Sequence, residues 1–551
     1  MLLRIQTFLL VPYLIGQAVA LAEQNSSVSV KIRNGTVVGV DYASSQVQHF
    51  LGIPYAQPPV GNLRLRQAEP LNASFGTLAA QSFGPACYGP DIDSNPNSSE
   101  DCLSLNIWRP DGHTGNNTPK PVLVWFYGGG LQRGYTADPR FEGTNIVRIS
   151  SEISKEVMLV SVNYRLGPLG FLNGQQMADH DLLNLGMLDQ RLALHWIQEN
   201  IAAFGGDPTK VTIAGESAGA VSVYSHMMAY GGRDDKLFRG AILESGGAFP
   251  LTYANTAKFQ ESFDNLVTDT PCKSFANAST AKQLDCIRQL PIETFLNSVG
   301  SGTGQSIDSS FTQTSLQFAL PAGKYVKVPT IVGTNTDEGT NSAPTGINTT
   351  EQLRGPLAEG FHRPKNLPNS TVSTFLDMYP DDPRHGCPYN TGTTPLTSGK
   401  LDKKACSIFG DIVQIAPARM IAQWLTKNNN NNGNSPVYRY RFNHLPHDTT
   451  AANITSGIGT GLEQRYVFSN LIPDHPWDRA LAYEVSSAWI SFAHGLNPNP
   501  GGESTLPKWP EYGDERKSMV FSGHGSSIEE ETYRAEAVEY IIENVLPYGA
   551  L

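Results

Sequence analysis

The chain has no surplus of basic residues: across 551 positions, 40 Lys and Arg stand against 51 Asp and Glu, for a formal charge of −11 and a pI near 5.6. A surface that binds nucleic acid works by neutralising phosphates, so this balance argues against a nucleic-acid partner. No apolar run of about 18 residues follows the N-terminal stretch, and no membrane span is expected in the mature chain. CxxC spacing and clusters of His with Cys are absent, so no metal site is expected. GxxxxGK[ST] is also missing, which removes the phosphate-loop reading, and the sequence implies no cofactor. No Pro/Ser-rich linker divides the chain. With 40% hydrophobic and 17% charged residues, its composition excludes disorder and fibrous repeats.

What is present points outside the cell. Met1 to Ala22 carries Arg4, an apolar stretch from Phe8 to Ala20 and a small-residue ending, the layout of a secretory signal peptide cleaved after Ala20 or Ala22. Asn-X-Ser/Thr sequons begin at Asn25, Asn34, Asn72, Asn97, Asn116, Asn277, Asn348, Asn369 and Asn453, as expected of a glycosylated surface. Six cysteines fall in three sequence-near pairs, Cys87 with Cys102, Cys272 with Cys286, and Cys387 with Cys406. An even number behind a signal peptide suggests disulfides.

The hydrophobic pattern indicates α/β. Val122–Phe126, Val157–Val162, Val211–Ala214, Gly240–Leu243 and Val328–Val332 are short, continuous and apolar, as buried parallel strands are. Leu185, Leu188, Leu192 and Trp196 recur at helical steps between the second and third of these, and strand–helix–strand order implies a sheet with crossover helices. A helix from about Val413 to Lys427, a solvated Asn428–Asn432 loop and a strand Val437–Phe442 follow. Residues 23–551 are expected to form one domain.

The chemistry concentrates in one turn. The strand ending at Ala214 runs into Gly215-Glu-Ser-Ala-Gly219, and a helical pattern starts at Ala220, which is G-x-S-x-G in its strand–turn–helix setting. Glycine is needed at 215 and 219 because the turn is tight. Ser217 is therefore the candidate nucleophile, beside a helix N-terminus whose free N–H groups favour negative charge. Attack on a carbonyl makes an oxyanion, which needs preorganised donors. Tyr127-Gly-Gly-Gly130 follows the first strand, and the N–H groups of Gly129, Gly130 and Ala218 are assigned as the oxyanion hole.

These residues, with Phe50-Leu-Gly-Ile-Pro-Tyr-Ala-Gln-Pro-Pro-Val-Gly61, Glu100-Asp-Cys-Leu-Ser-Leu-Asn-Ile-Trp108, Asn163-Tyr-Arg-Leu-Gly167 and Phe204-Gly-Gly-Asp-Pro208, resemble the type-B carboxylesterase/lipase family in its motif order. The family includes cholinesterases and secreted fungal esterases and lipases. The resemblance implies an α/β-hydrolase fold, with a central mixed, mostly parallel sheet and helices on both faces. It also implies ester hydrolysis and the pairings Cys87 with Cys102 and Cys272 with Cys286; Cys387 with Cys406 follows from parity alone. In the similar family the Glu of an Asp-Glu-Gly after a later strand is the triad acid, so Glu338 takes that role here, with Asp337 the neighbouring alternative. Glu216 is not a choline site on this reading, and Arg165 with Asp189 is a structural ion pair.

The histidine departs from the family. Gly459-Thr-Gly-Leu-Glu-Gln-Arg-Tyr-Val-Phe468 places Thr460 where the similar family has its catalytic His. Of the twelve histidines, His447 is the candidate for a relocated base because it follows the strand ending at Phe442; His475 and His494 come next. His444 and His226 are read as structural, and His195 as a core residue on a helix face. The loop between Cys87 and Cys102 holds 14 residues and no Trp, short for a lipase lid and without a choline-stacking ring. A small or lipophilic ester is the expected small-molecule substrate of a secreted serine esterase acting through a Ser217 acyl-enzyme. The alternative is a relative lacking the base that acts as a non-hydrolytic catalyst in secondary metabolism or as a ligand-binding module.

Overall fold

The apolar runs become the strands of one thirteen-stranded sheet. In the computed structural model, which describes residues 25–90, 97–112, 118–248, 257–300, 302–359, 367–393, 398–432, 435–447, 457–471, 474–502 and 504–547, the centre of the sheet is a parallel array. It runs in the order Met158–Val162, Lys120–Phe126, Gly206–Glu216, Gly240–Glu244, Thr330–Asn335, Val437–Phe442 and Lys517–Phe521. Lys120–Phe126, Met158–Val162 and Gly240–Glu244 are buried on both sides, so they read as near-continuous apolar runs rather than alternating. Antiparallel strands flank the array: Ser104–Pro110, Val47–Pro54, Gly35–Tyr42 and Ser26–Ile32 at one edge, Ser527–Glu530 at the other. The expected signal peptide lies outside the described residues.

Several strand boundaries moved by one to five residues. The strand expected from Val328 begins at Thr330, after Pro329, which has no N–H to give a ladder. The strand expected at Val211–Ala214 extends to Gly206–Glu216, carrying the chain to the edge where Ser217 sits.

Helices pack against this sheet. Leu185–Asn200 and the helix after Ser217, Ala218–Gly232, are joined by a hydrogen bond from Gln190 to the Ser222 hydroxyl. Pro476–Gly495 reaches the sheet through Trp489, whose Nε1 donates to Glu244. The helix expected at Val413–Lys427 is longer: Asp402–Gly410, a π-turn at Asp411–Ile415 and Ala416–Asn432 form one run, so the Asn428–Asn432 loop is helical instead. Its stretch Asp402–Asn429 is apolar and long enough to cross a membrane but is almost wholly buried, so its apolarity serves the core.

The three disulfides form as paired: Cys87–Cys102, Cys272–Cys286 and Cys387–Cys406. The sequons at Asn25, Asn72, Asn97, Asn277, Asn348 and Asn369 are exposed, while those at Asn116 and Asn453 fall outside the described residues. Asn34 is a correction. It is buried, and its side-chain nitrogen donates to the carbonyls of Leu71 and Ala73, leaving no room for a glycan. Arg165 and Asp189 make the expected buried pair, with two hydrogen bonds of 2.7 and 2.6 Å.

Candidate active site

Ser217 stands between the end of its strand and the first helical residue, with φ at +53°, a conformation rarely adopted by residues other than glycine. The strain is held from both sides. Its N–H donates to the Glu244 carbonyl at 2.8 Å and its carbonyl accepts from Val221. A Cβ on Gly215 would approach the backbone of Gly219 to 2.5 Å, and one on Gly219 would stand 2.0 Å from the Phe126 carbonyl oxygen. The two glycines are therefore required by close approach of backbone to backbone, as the motif implied.

The Tyr127–Gly130 loop lies against this turn. A Cβ on Gly128 would meet Glu216 Oε2 at 2.5 Å and the Ser217 Cβ at 3.1 Å. Gly129 and Gly130 both have positive φ, +109° and +68°. Among the described residues, no acceptor is paired with the N–H groups of Gly129, Gly130 or Ala218. Three unpaired donors at the edge of the Ser217 turn are what stabilisation of an oxyanion needs.

Glu338 follows the strand Thr330–Asn335, two places along the sheet from the Ser217 strand, and Ser245 ties the intervening strand to it by donating its N–H to the Gly333 carbonyl. The Glu338 carboxylate is buried. Oε1 accepts from the Asn335 N–H at 2.7 Å, and Oε2 accepts from the Thr460 hydroxyl at 2.6 Å. Burial raises its pKa above the usual carboxylate value, opposed by hydrogen bonds from Ser245, Thr460 and Asn335. Asp337 has a different task. It accepts from the N–H groups of Tyr389 and Ile458, each at 2.8 Å, and its own N–H donates to the Ile458 carbonyl. It thereby pins the segment that carries Thr460.

Thr460 is held there by several further bonds. Asn335 Nδ2 donates to the Gly459 carbonyl at 2.6 Å, and Asn341 donates to the carbonyl of Thr460 itself. The hydroxyl thus meets a buried carboxylate, the kind of group that an imidazole meets in a Ser-His-acid triad.

His447 is not brought to this place. It is exposed, its N–H donates to Asp478 Oδ2 at 3.1 Å, and its ring stacks on His475 with centroids 3.6 Å apart. His475 caps the helix Pro476–Gly495, and His494 is exposed at that helix's other end. His444 bonds Asp478 at 2.6 Å, a structural role as expected. His226 is buried and bonds Gln190, though its Nδ1 has no partner. His195, expected in the core, is exposed: its neighbours Leu194 and Trp196 take the inner face of the helix. Among the described residues no histidine hydrogen-bonds Ser217 or Glu338.

Three more carboxyl groups, not singled out as site residues from the sequence, gather around Glu338. Glu463 accepts from Asn335 Nδ2 at 2.5 Å and from the Ser245 hydroxyl at 3.3 Å. Glu216 accepts from Gln464 at 2.7 Å, and Glu244 accepts from Trp489 at 2.7 Å. All are buried. Burial, then the nearby Glu338 carboxylate, pushes Glu463 up to about 7. Burial followed by the charge of Glu463 raises Glu216 and Glu244 well above the carboxylate range. Acidic residues inside otherwise apolar segments were the available sequence signal, but only the fold shows that they converge.

Among solved structures, the Aspergillus niger esterase EstA superposes with a TM-score of 0.80 at 27% identity, covering 94% of this chain and 98% of that one. The α/β-hydrolase fold is thereby established. Secreted lipase 1 of Botryotinia fuckeliana is 32% identical over 96% of this chain and 95% of its own. The secreted triacylglycerol lipase of Gibberella zeae is also 32% identical, over 97% and 92%. The model of the carboxylesterase family matches residues 26–541. With that span and those relatives, the chain belongs to the carboxylesterase family and is a carboxylic ester hydrolase.

Proposed function

We propose that the protein is a secreted serine esterase in which Ser217 attacks the carbonyl of a small or lipophilic ester and carries the acyl group as a covalent intermediate. Gly129, Gly130 and Ala218 receive the oxyanion, and Glu338 is the carboxylate of the proton-transfer system. The observation that carries this reading is the strained Ser217 turn set against three unpaired backbone N–H donors. Such strain persists where the surrounding structure holds it, and it accompanies function. Relatives that are lipases and esterases weigh for hydrolysis over a non-hydrolytic role.

Secretion rests on the Met1–Ala22 layout, the three disulfides and the secreted relatives. Six exposed sequons support a glycosylated surface. His447, stacked on His475, has no part in the proposed reaction.

The test is labelling by a fluorophosphonate probe. The native protein forms an adduct and Ser217→Ala does not. An adduct of equal yield in Ser217→Ala, or none in the native protein, refutes the proposal.

A further inference from the structure

Among the described residues no imidazole hydrogen-bonds Ser217, so on this reading another group takes its proton. The candidates within the site are few. Glu216 is engaged by Gln464, and Glu463 by Asn335 and Ser245. Among the described residues only Glu338 is met by a hydroxyl from the Thr460 position, and that hydrogen bond, at 2.6 Å, is short, as a hydroxyl bound to a carboxylate is. A hydroxyl can accept one proton while giving up another. It can therefore pass a proton on without ever holding a net charge, which an aliphatic side chain of the same shape cannot do.

The geometry points to Glu338 as the general base itself, with the Thr460 hydroxyl as the relay between it and Ser217. This rests on the serine-esterase reading above. As the Ser217 oxygen forms its bond to the ester carbon, the carbonyl π electrons move onto the oxygen facing Gly129, Gly130 and Ala218. The serine proton passes toward Thr460 Oγ1, and the threonine proton moves onto Glu338 Oε2. No hydrogen bond joins the two hydroxyls among the described residues, so the proposed relay includes one bridging water. When the tetrahedral intermediate collapses, the bond to the leaving alcohol breaks. The proton returns from Glu338 through Thr460 to that alkoxide, so charge and protons balance. Hydrolysis of the acyl-enzyme repeats the cycle with water as nucleophile, and Ser217 recovers its proton.

Two features of the fold suit the carboxylate to this work. Its burial makes it a stronger base than an exposed Glu, and its Oε2 is the oxygen that faces the Thr460 hydroxyl. The loop bearing Thr460 is clamped by Asp337, Asn335 and Asn341, so the hydroxyl is fixed rather than free to turn to solvent.

The experiment is a proton inventory, the rate of p-nitrophenyl butyrate hydrolysis measured across H2O/D2O mixtures, on the native protein, Thr460→Val and Thr460→Ser. The relay requires a bowl-shaped inventory in the native protein, because more than one proton is in flight. It also requires a turnover loss on the order of 10²-fold in Thr460→Val with a straight-line inventory, and retention within about fivefold in Thr460→Ser. A linear inventory in the native protein overturns the relay, as does a Thr460→Val variant with unchanged turnover. If Thr460→Val fails to fold, the native inventory and Thr460→Ser still decide. The fluorophosphonate adduct separates the two proposals. If it forms at Ser217 and the inventory is linear, the relay fails and the esterase reading stands; if it does not form, the esterase reading fails.

Discussion

Thr460 donates its hydroxyl to the Oε2 of Glu338 at 2.6 Å, so a residue that is no base stands beside the buried carboxylate proposed for proton transfer. The backbone around it is clamped by Asn335, Asp337 and Asn341, and a larger side chain there would point into the same space. Thr460→His should place an imidazole between Ser217 and Glu338 and raise p-nitrophenyl ester turnover at pH 8 by on the order of 10²-fold, the range a positioned general base supplies. Steady-state kinetics check this. An unchanged or lower rate in a folded variant would mean that the space between Ser217 and Glu338 does not admit the ring.

Gly219→Ala tests the nucleophile turn. The added Cβ would stand 2.0 Å from the carbonyl oxygen of Phe126, which ends a strand paired on both sides and cannot retreat. The expected loss is about 1–3 kcal/mol of stability, the cost of forced overpacking, together with loss of probe labelling at Ser217. Gly355→Ala is the control, since its Cβ meets nothing within 4 Å inside the helix Glu351–Glu359. That variant should melt at or slightly above the native temperature.

The Arg165–Asp189 pair makes a different prediction. Both side chains are buried, and Arg165 also donates to the Arg66 carbonyl at 2.8 Å. Arg165→Met leaves Asp189 charged and unpaired, at an expected cost of about 3–5 kcal/mol. The double variant Arg165→Met/Asp189→Leu should lose less than this single one, because no charge is stranded. Urea unfolding midpoints of the three proteins decide it. A double variant weaker than the single would contradict the argument.

The Ser217 turn was legible in the sequence because its demands are local: glycine at two fixed offsets, a β-branched run before it and a helical pattern after. The parallel strands were legible for the same reason, each being a continuous apolar run. The carboxyl cluster was not. Glu216, Glu244, Glu338 and Glu463 come from four separate segments, and only strand order makes them neighbours. His447 illustrates the opposite error. Its place after a core strand suggested an inward reach, but chain order does not fix direction. Asp478 on a later helix takes its N–H and His475 takes its ring face. That Thr460 stands where the similar family has a histidine was an expectation from the aligned motif, whereas the bond that threonine makes with Glu338 required the fold.

Glu463 links the cluster to stability. Burial and the nearby Glu338 raise its folded-state value to about 7, above that of the unfolded chain. A carboxyl whose pKa is raised on folding binds more protons in the native state, so its stabilising effect is complete below the unfolded value and is lost as pH rises through the folded one. The window therefore runs from roughly pH 4 to pH 7, and stability should fall across it by up to about 3 kcal/mol from this group. Glu463→Gln removes the titration while keeping a carbonyl oxygen for Asn335 and an amide that can donate to the Ser245 oxygen. Melting curves of the two proteins should coincide near pH 4.5 and separate by pH 8, with Glu463→Gln the more stable. Parallel curves across that range would show that Glu463 titrates as an ordinary carboxylate and that burial is offset by the bonds from Asn335 and Ser245.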